Sequence, residues 1–273
     1  MPELPEVESV RRSLAPLVGR RIARAHLLRA DICEPEPGAR RGPHAILQGA
    51  TVDALDRRGK QLAIIARDDR VLVVHLGMTG QLRLLGPGSP PDRTDHIHAR
   101  WNLDDGSRLV FRDPRRFGGL WPLSKSTLEV RWSDLGPDGL GITAEQLRAA
   151  AAHSSRPIKA VLLDQGIVAG VGNIYADEAL FVSGIRPTRR AMRIRPPEWG
   201  ILAEAIRQTL AAAVIARGST LRDYVDATGA SGTAQERHQV YGRGRLPCTR
   251  CGDLLTVGTV AQRTTVYCRS CQV

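Results

Sequence analysis

The residues of this 273-residue chain whose types and spacing could do chemistry lie at its two ends. The chain opens MPELPEVE, and an initiator Met is ordinarily removed before a residue as small as proline, which leaves Pro2 with a free secondary amine. Such an α-amino group has a reference pKa of about 8, so roughly a tenth of it is unprotonated at neutral pH and can act as a nucleophile. Attack on a sugar C1′ would expel a base and open to an iminium ion, an electron sink that eases elimination of the 3′-phosphate. Glu3 could protonate the ring oxygen or the leaving group, and Glu6, on the same small turn, could order water. The same segment also reads as a plain helix start, with Pro5 in the first turn and glutamates at the positive end of the dipole. At the far end, Cys248-x2-Cys251 and Cys268-x2-Cys271 flank sixteen residues, 252–267, a spacing that offers four thiolates to one tetrahedral ion. A redox dithiol and an iron–sulfur site are the competing readings. With all four ligands supplied by protein, the expected ion is one structural zinc that positions its hairpin, Arg263 included.

These residues need a folded frame, and a hydrophobic content of 42% with 25% charged residues supplies one. The net charge of +11 divides as +5 before residue 130 and +6 after it, so the whole chain attracts polyanions, and nucleic acid is the expected partner. Only Lys60, Lys125 and Lys159 are lysines among 39 basic residues, which fits sites where a compact point charge is needed. No apolar run reaches the roughly 20 residues of a membrane span, and the start is acidic and proline-rich, so the expectation is a cytoplasmic protein with no membrane partner. Cys33 stands apart and reads as a small buried apolar residue.

Val7, Val10, Leu14 and Leu17 share one face of a short first helix. Period-two stretches follow: QLAIIA, RVLVVHL, a turn at Gly77–Gly80, QLRLL, then HIHARWNL and SRLVFR around Asp104-Asp105-Gly106. The stretch from Ser124 to about Gly141 reads as a Gly/Pro/Asp linker. Helical spacing then runs through TAEQLRAAAA, PIKAVLLDQ, NIYADEALFVSG and PEWGILAEAIRQTLAAAVIARG, with Thr143, Asn173 and Gly218 as caps or stops. The tail is too short to build a core without a metal. The expected fold is therefore α+β and multi-domain: residues 1–130 an antiparallel β-sandwich with a packed helix, 131–238 a helical domain, and 239–273 a four-cysteine zinc ribbon.

PELPEVE, RRGKQL at 57–62, HLGMTGQL at 75–82, DPRRFGG at 113–119, VAGVGNIYADEALF at 168–181, GSTLRDY at 218–224, VYGRGRLPCTRCG at 240–252 and QRTTVYCRSCQ at 262–272 together resemble the formamidopyrimidine-DNA glycosylase, or 8-oxoguanine DNA glycosylase, family from end to end. The resemblance implies Pro2 as the Schiff-base nucleophile and Glu3 as proton donor. It places Lys60 and Arg263 with them among the catalytic residues; Lys60, His75, Asn173 and Arg263 would contact phosphates, Lys60 from an exposed strand start and Asn173 from a helix start whose N–H groups favour an anion, and Tyr241 would bind DNA. LLDQGIVAGVGNIYADEALF would be a helix–two-turn–helix element, Met78, Arg115 and Phe117 would fill the void left by an everted base, and Lys159 would lie near the lesion pocket. Ser219 and Thr220 belong to a loop expected to close over that base.

The implied activity is a bifunctional DNA glycosylase and AP lyase of base excision repair, a bacterial, nucleoid-associated monomer acting on oxidised purines in damaged double-stranded DNA with β,δ-elimination. An endonuclease VIII-like preference for oxidised pyrimidines and a catalytically silent zinc-dependent DNA-binding protein are the alternatives. Ala234 stands where the family commonly has an aromatic beside Gln235, and His238 where an apolar residue is usual, so the loop around 226–240 departs from the pattern and bears on lesion choice.

Overall fold

The first helix, α1 (Leu4–Ser13), starts on Glu3, whose N–H is taken by the Glu6 carboxylate at 2.7 Å, and has Pro5 in its first turn, where a missing N–H costs nothing. In the computed structural model, which describes residues 2–38, 40–90 and 95–273, two compact units emerge. One runs up to Ser133 and takes in Arg217–Gly232; the other is Asp134–Ala216 with Thr233–Val273.

Among the described residues the first unit holds eight strands: β1 (Ile22–Leu27), β2 (Val52–Arg58), β3 (Gln61–Ala66), β4 (Arg70–His75), β5 (Gln81–Leu85), β6 (Ile97–Leu103), β7 (Arg108–Arg112) and β8 (Gly119–Ser124). They form two antiparallel four-stranded sheets, ordered β2-β3-β4-β8 and β1-β6-β7-β5, so the expected sandwich is present. Alternation decides what each face of the first sheet covers. Leu62, Ile64, Leu72, Val74 and Leu120 join Val7, Val10, Trp101 and Phe111 in the main core. Ala63, Val71 and Val73, on the opposite face, pack against Leu128 of α2 (Lys125–Ser133), with Trp121 and Trp132 alongside. This helix corrects the expectation of a linker from Ser124: the glycines and the proline begin only at Gly136, while Leu128 and Trp132, four residues apart, form an apolar face that the sheet can bury.

The second unit contains α3 (Ala144–Ala151), α4 (Ile158–Leu162), α5 (Asn173–Val182) and α6 (Pro196–Ile215), followed by the hairpin β9 (Thr256–Val260) and β10 (Arg263–Tyr267). Thr143 caps α3, its hydroxyl accepting from Gln146 N at 3.2 Å. Gln165 staples the turns between α4 and α5: its Nε2 donates to the carbonyls of Leu163 and Val171, and its Oε1 accepts from Gly170 N. Ala261 and Gln262, with φ of 49° and 59°, make the two-residue turn that joins β9 to β10 with the twist a hairpin needs. Among the described residues no helix is long and apolar enough to cross a membrane.

Candidate active site and nucleic-acid interface

Pro2, Glu3 and Glu6 are buried together at the start of α1. The two oxygens of Glu6, the residue expected to order water, take backbone N–H groups, Oε2 that of Glu3 and Oε1 that of Ser219, each at 2.7 Å. Its carboxylate thus ties the loop 217–232 to the turn that carries Pro2. Gly218 is required there twice over: its φ is +81°, and a Cβ would lie 2.7 Å from Glu6 Oε1. The loop is braced further by Thr220, whose hydroxyl donates to Tyr224 O and accepts from Gly232 N, and by the Tyr224 hydroxyl, which donates to Glu6 O at 3.1 Å. Ser219 and Thr220 therefore sit at an anchored loop base. Met1, whose removal the proline chemistry needs, lies outside the described residues.

Lys60 occupies the turn between β2 and β3 and is buried, not exposed as its strand-start position suggested. His75, at the end of β4, accepts the Gly77 N–H on Nδ1 at 3.2 Å, so Nε2 carries the proton of the neutral ring. Burial, then the charges of Lys60 and Arg131, hold its pKa below the ordinary value, and the neutral ring is a pure Nε2–H donor.

Met78, in the expected turn, and Phe117 are exposed apolar residues, 36% and 54%. The Arg115 guanidinium lies 4.7 Å from the Phe117 ring centre. Asp113, which the sequence reading did not single out, organises both loops: Oδ1 accepts from the Thr79 hydroxyl at 2.5 Å, and Oδ2 from Gly118 N at 2.8 Å. Gly77, at φ +60°, lets the first loop lie against the second, since a Cβ there would fall 2.3 Å from the Phe117 carbonyl carbon. A flexible thioether, a guanidinium and an aromatic ring consequently project from one edge of the first unit.

In the second unit Lys159 lies inside the protein. It is fully buried: its Nζ lies 2.7 Å from Asp177 Oδ1 and donates to Thr264 O and the Thr265 hydroxyl. Asp177 Oδ2 also accepts from Val266 N, and Asn173 Nδ2 donates to Thr264 O. Four bonds from α4 and α5 thereby fix residues 264–266, next to exposed Arg263 at the hairpin tip. Asn173 is the first residue of α5, with Gly172 as N-cap. Buried Glu178 accepts the N–H groups of Gln239, Val240 and Tyr241, which sets Tyr241. Asp177 and Glu178 escaped sequence reading because each acts on backbone more than sixty residues away.

The ligand atoms of Cys248, Cys251, Cys268 and Cys271 all lie within 4.8 Å of one another, with Sγ separations of 3.9 Å for Cys248–Cys271 and 3.5 Å for Cys251–Cys268. A tetrahedral ion with metal–sulfur bonds of about 2.3 Å needs sulfurs about 3.8 Å apart, so the four can hold a metal ion. Backbone N–H groups of Arg250 and Cys271 point at Sγ of Cys248 and Cys268, as knuckle turns do.

Residues 1–120 match the formamidopyrimidine-DNA glycosylase N-terminal domain, and residues 135–225 the formamidopyrimidine-DNA glycosylase H2TH domain. The chain is 43% identical to the formamidopyrimidine-DNA glycosylase of Stenotrophomonas maltophilia (strain R551-3) and 42% identical to that of Laribacter hongkongensis, each over all of both chains. It resembles the crystal structure of the MutM (Fpg) protein of Thermus thermophilus, with a TM-score of 0.87 at 40% identity over 99% of this chain and 98% of that one. A Lactococcus lactis Fpg mutant in complex with Fapy-dG-containing DNA gives a TM-score of 0.89 at 32% identity over 99% of each chain. The chain belongs to the formamidopyrimidine-DNA glycosylase family, enzymes of the DNA glycosylase and AP lyase class.

Proposed function

We propose that this chain excises oxidised purines, 8-oxoguanine and formamidopyrimidines, from damaged double-stranded DNA and then cuts the strand by β,δ-elimination, working as a monomer in the bacterial cytoplasm. The observation that carries the reading is the buried start of α1, where Pro2 precedes a Glu3 whose N–H is held by the Glu6 carboxylate, itself tied by its other oxygen to Ser219 N.

The neutral Pro2 nitrogen attacks C1′, the glycosidic bond breaks, and the base leaves with a proton supplied by Glu3. The ring opens to an iminium; loss of a C2′ proton expels the 3′-phosphate, a second elimination expels the 5′-phosphate, and water releases the sugar fragment from Pro2. Everting the base costs a few kcal/mol, offset by Met78, Arg115 and Phe117 filling the gap. Lys60, His75, Asn173 and Arg263 hold phosphates, Lys60 and Arg263 beside the reacting sugar as part of the catalytic set, and Tyr241 binds DNA. Cys248, Cys251, Cys268 and Cys271 would hold one structural zinc, whose chemistry is confined to fixing the hairpin that presents Arg263.

Hydride reduction of protein mixed with 8-oxoguanine duplex tests the reaction: a covalent adduct is expected, and bound DNA without an adduct would leave only the reading of a silent DNA-binding protein. A preference for oxidised pyrimidines draws support from the Lactococcus lactis Fpg complex with oxidised-pyrimidine-containing DNA. Faster excision of thymine glycol than of 8-oxoguanine paired with C would favour that alternative.

A further inference from the structure

The outer face of the β2-β3-β4-β8 sheet ends in a group of basic side chains that includes one no motif marks. Gln61 and His75 are paired across β3 and β4, and Gly119 faces His75 from β8. A Cβ at Gly119 would lie 2.6 Å from the Trp121 ring, so glycine there leaves room for the indole, which meets the His75 ring edge-on at 6.5 Å. Arg131 of α2 stacks over the same indole at 4.5 Å and donates from Nε to Gln61 Oε1 at 2.9 Å. Its two Nη groups make no hydrogen bond or ion pair among the described residues. The nearby carboxylate, Glu34, is engaged with Trp121 Nε1 instead. A half-buried guanidinium with free donors, beside Lys60 and a neutral His75 that can give only Nε2–H, is an arrangement that an anion completes.

We infer that Arg131 is a further phosphate-binding residue, gripping a DNA phosphodiester oxygen through its Nη groups next to the contacts of Lys60 and His75. This rests on the proposed DNA repair function. It is tested by titrating a duplex containing a stable abasic analogue, and an undamaged duplex, across a range of salt concentrations. R131Q should weaken both about tenfold and reduce the slope of log K against log salt by about one, while R131K keeps the slope. Unchanged affinity and slope in R131Q overturn the inference, as does an equal loss in R131K with the wild-type slope, which would mean packing on Trp121 alone. A measurement on the unaltered protein stands whether or not the variants fold. Duplex should protect Arg131 from phenylglyoxal, read by mass spectrometry, and equal modification with and without DNA contradicts the contact. If wild type binds DNA but gives no hydride-trapped adduct, the reaction fails and this contact stands; if it traps normally and R131Q binds as wild type, only this contact fails.

Discussion

Replacing Asp177 with leucine should cost more than replacing Lys159 with methionine, and making both changes together should cost little. The two side chains are 0% and 1% exposed and 2.7 Å apart, so neither charge has water to fall back on. Asp177→Leu strands an ammonium between Thr264 O and the Thr265 hydroxyl, and breaking a buried pair in this way costs about 3–5 kcal/mol. At about 2–4 °C per kcal/mol for a body of this size, the melting temperature should drop by roughly 6–20 °C. Lys159→Met strands a carboxyl that can take a proton: burial, opposed by Lys159, already pushes Asp177 up to about 6, and the Val266 N–H bond remains. Since that value lies above the ordinary 3.8, folding favours the protonated carboxyl, and its contribution falls as pH rises from about 4 to 6. The Lys159→Met deficit should therefore shrink below pH 6, whereas the Asp177→Leu deficit should not. The double variant should recover to within about 1 kcal/mol of wild type. Thermal melts followed by circular dichroism at pH 5 and pH 7 read all of this; an Asp177→Leu protein that melts with wild type, or a double variant as unstable as that single one, refutes the reasoning.

Cys248→Ser, or stripping metal with a chelator, should abolish DNA binding while the strands of the first unit stay folded; full nicking activity after either treatment shows that the metal is dispensable. Phe117→Ala should slow excision of a paired lesion at least about tenfold but spare cleavage of a preformed abasic site, because only the former must meet the cost of unstacking. Equal losses on both substrates remove Phe117 from the eversion step. In the free protein His75 should titrate below its ordinary 6.5, since burial and the charges of Lys60 and Arg131 disfavour the imidazolium. Its depressed value makes a contribution to stability that is present above pH 6.5 and lost as pH falls through the folded value, and an NMR midpoint above 6.5 contradicts the assigned environment.

Sequence reading succeeded where pattern and distance are local. The strands β3 to β7 stand out as short runs rich in apolar residues between turns, and the cysteine spacing alone points to a four-sulfur cluster. By contrast β1 and β2 are broken up by arginines and aspartates, and β8 carries Pro122. The helix α2 hides beside DLGPDGLG, and its apolar residues make sense only against Ala63, Val71 and Val73. The burial of Lys159 was illegible because a lone lysine on a helix reads as solvated, and what neutralises it lies eighteen residues on, in another helix. Asp113 was equally hidden, since its work is to hold Thr79 and Gly118 rather than to face a ligand. Roles such as void filling by Met78 came from family resemblance; the local sequence alone suggested only a turn at Gly77–Gly80.

The nucleophile is the central claim, and peptide mapping of a reduced adduct tests it most directly. After sodium borohydride treatment with an 8-oxoguanine duplex, the sugar remnant should be found on the nitrogen of Pro2 in a chain lacking Met1. An adduct mapping instead to Lys60 or Lys159, in protein whose amino terminus is a free proline, would contradict the account.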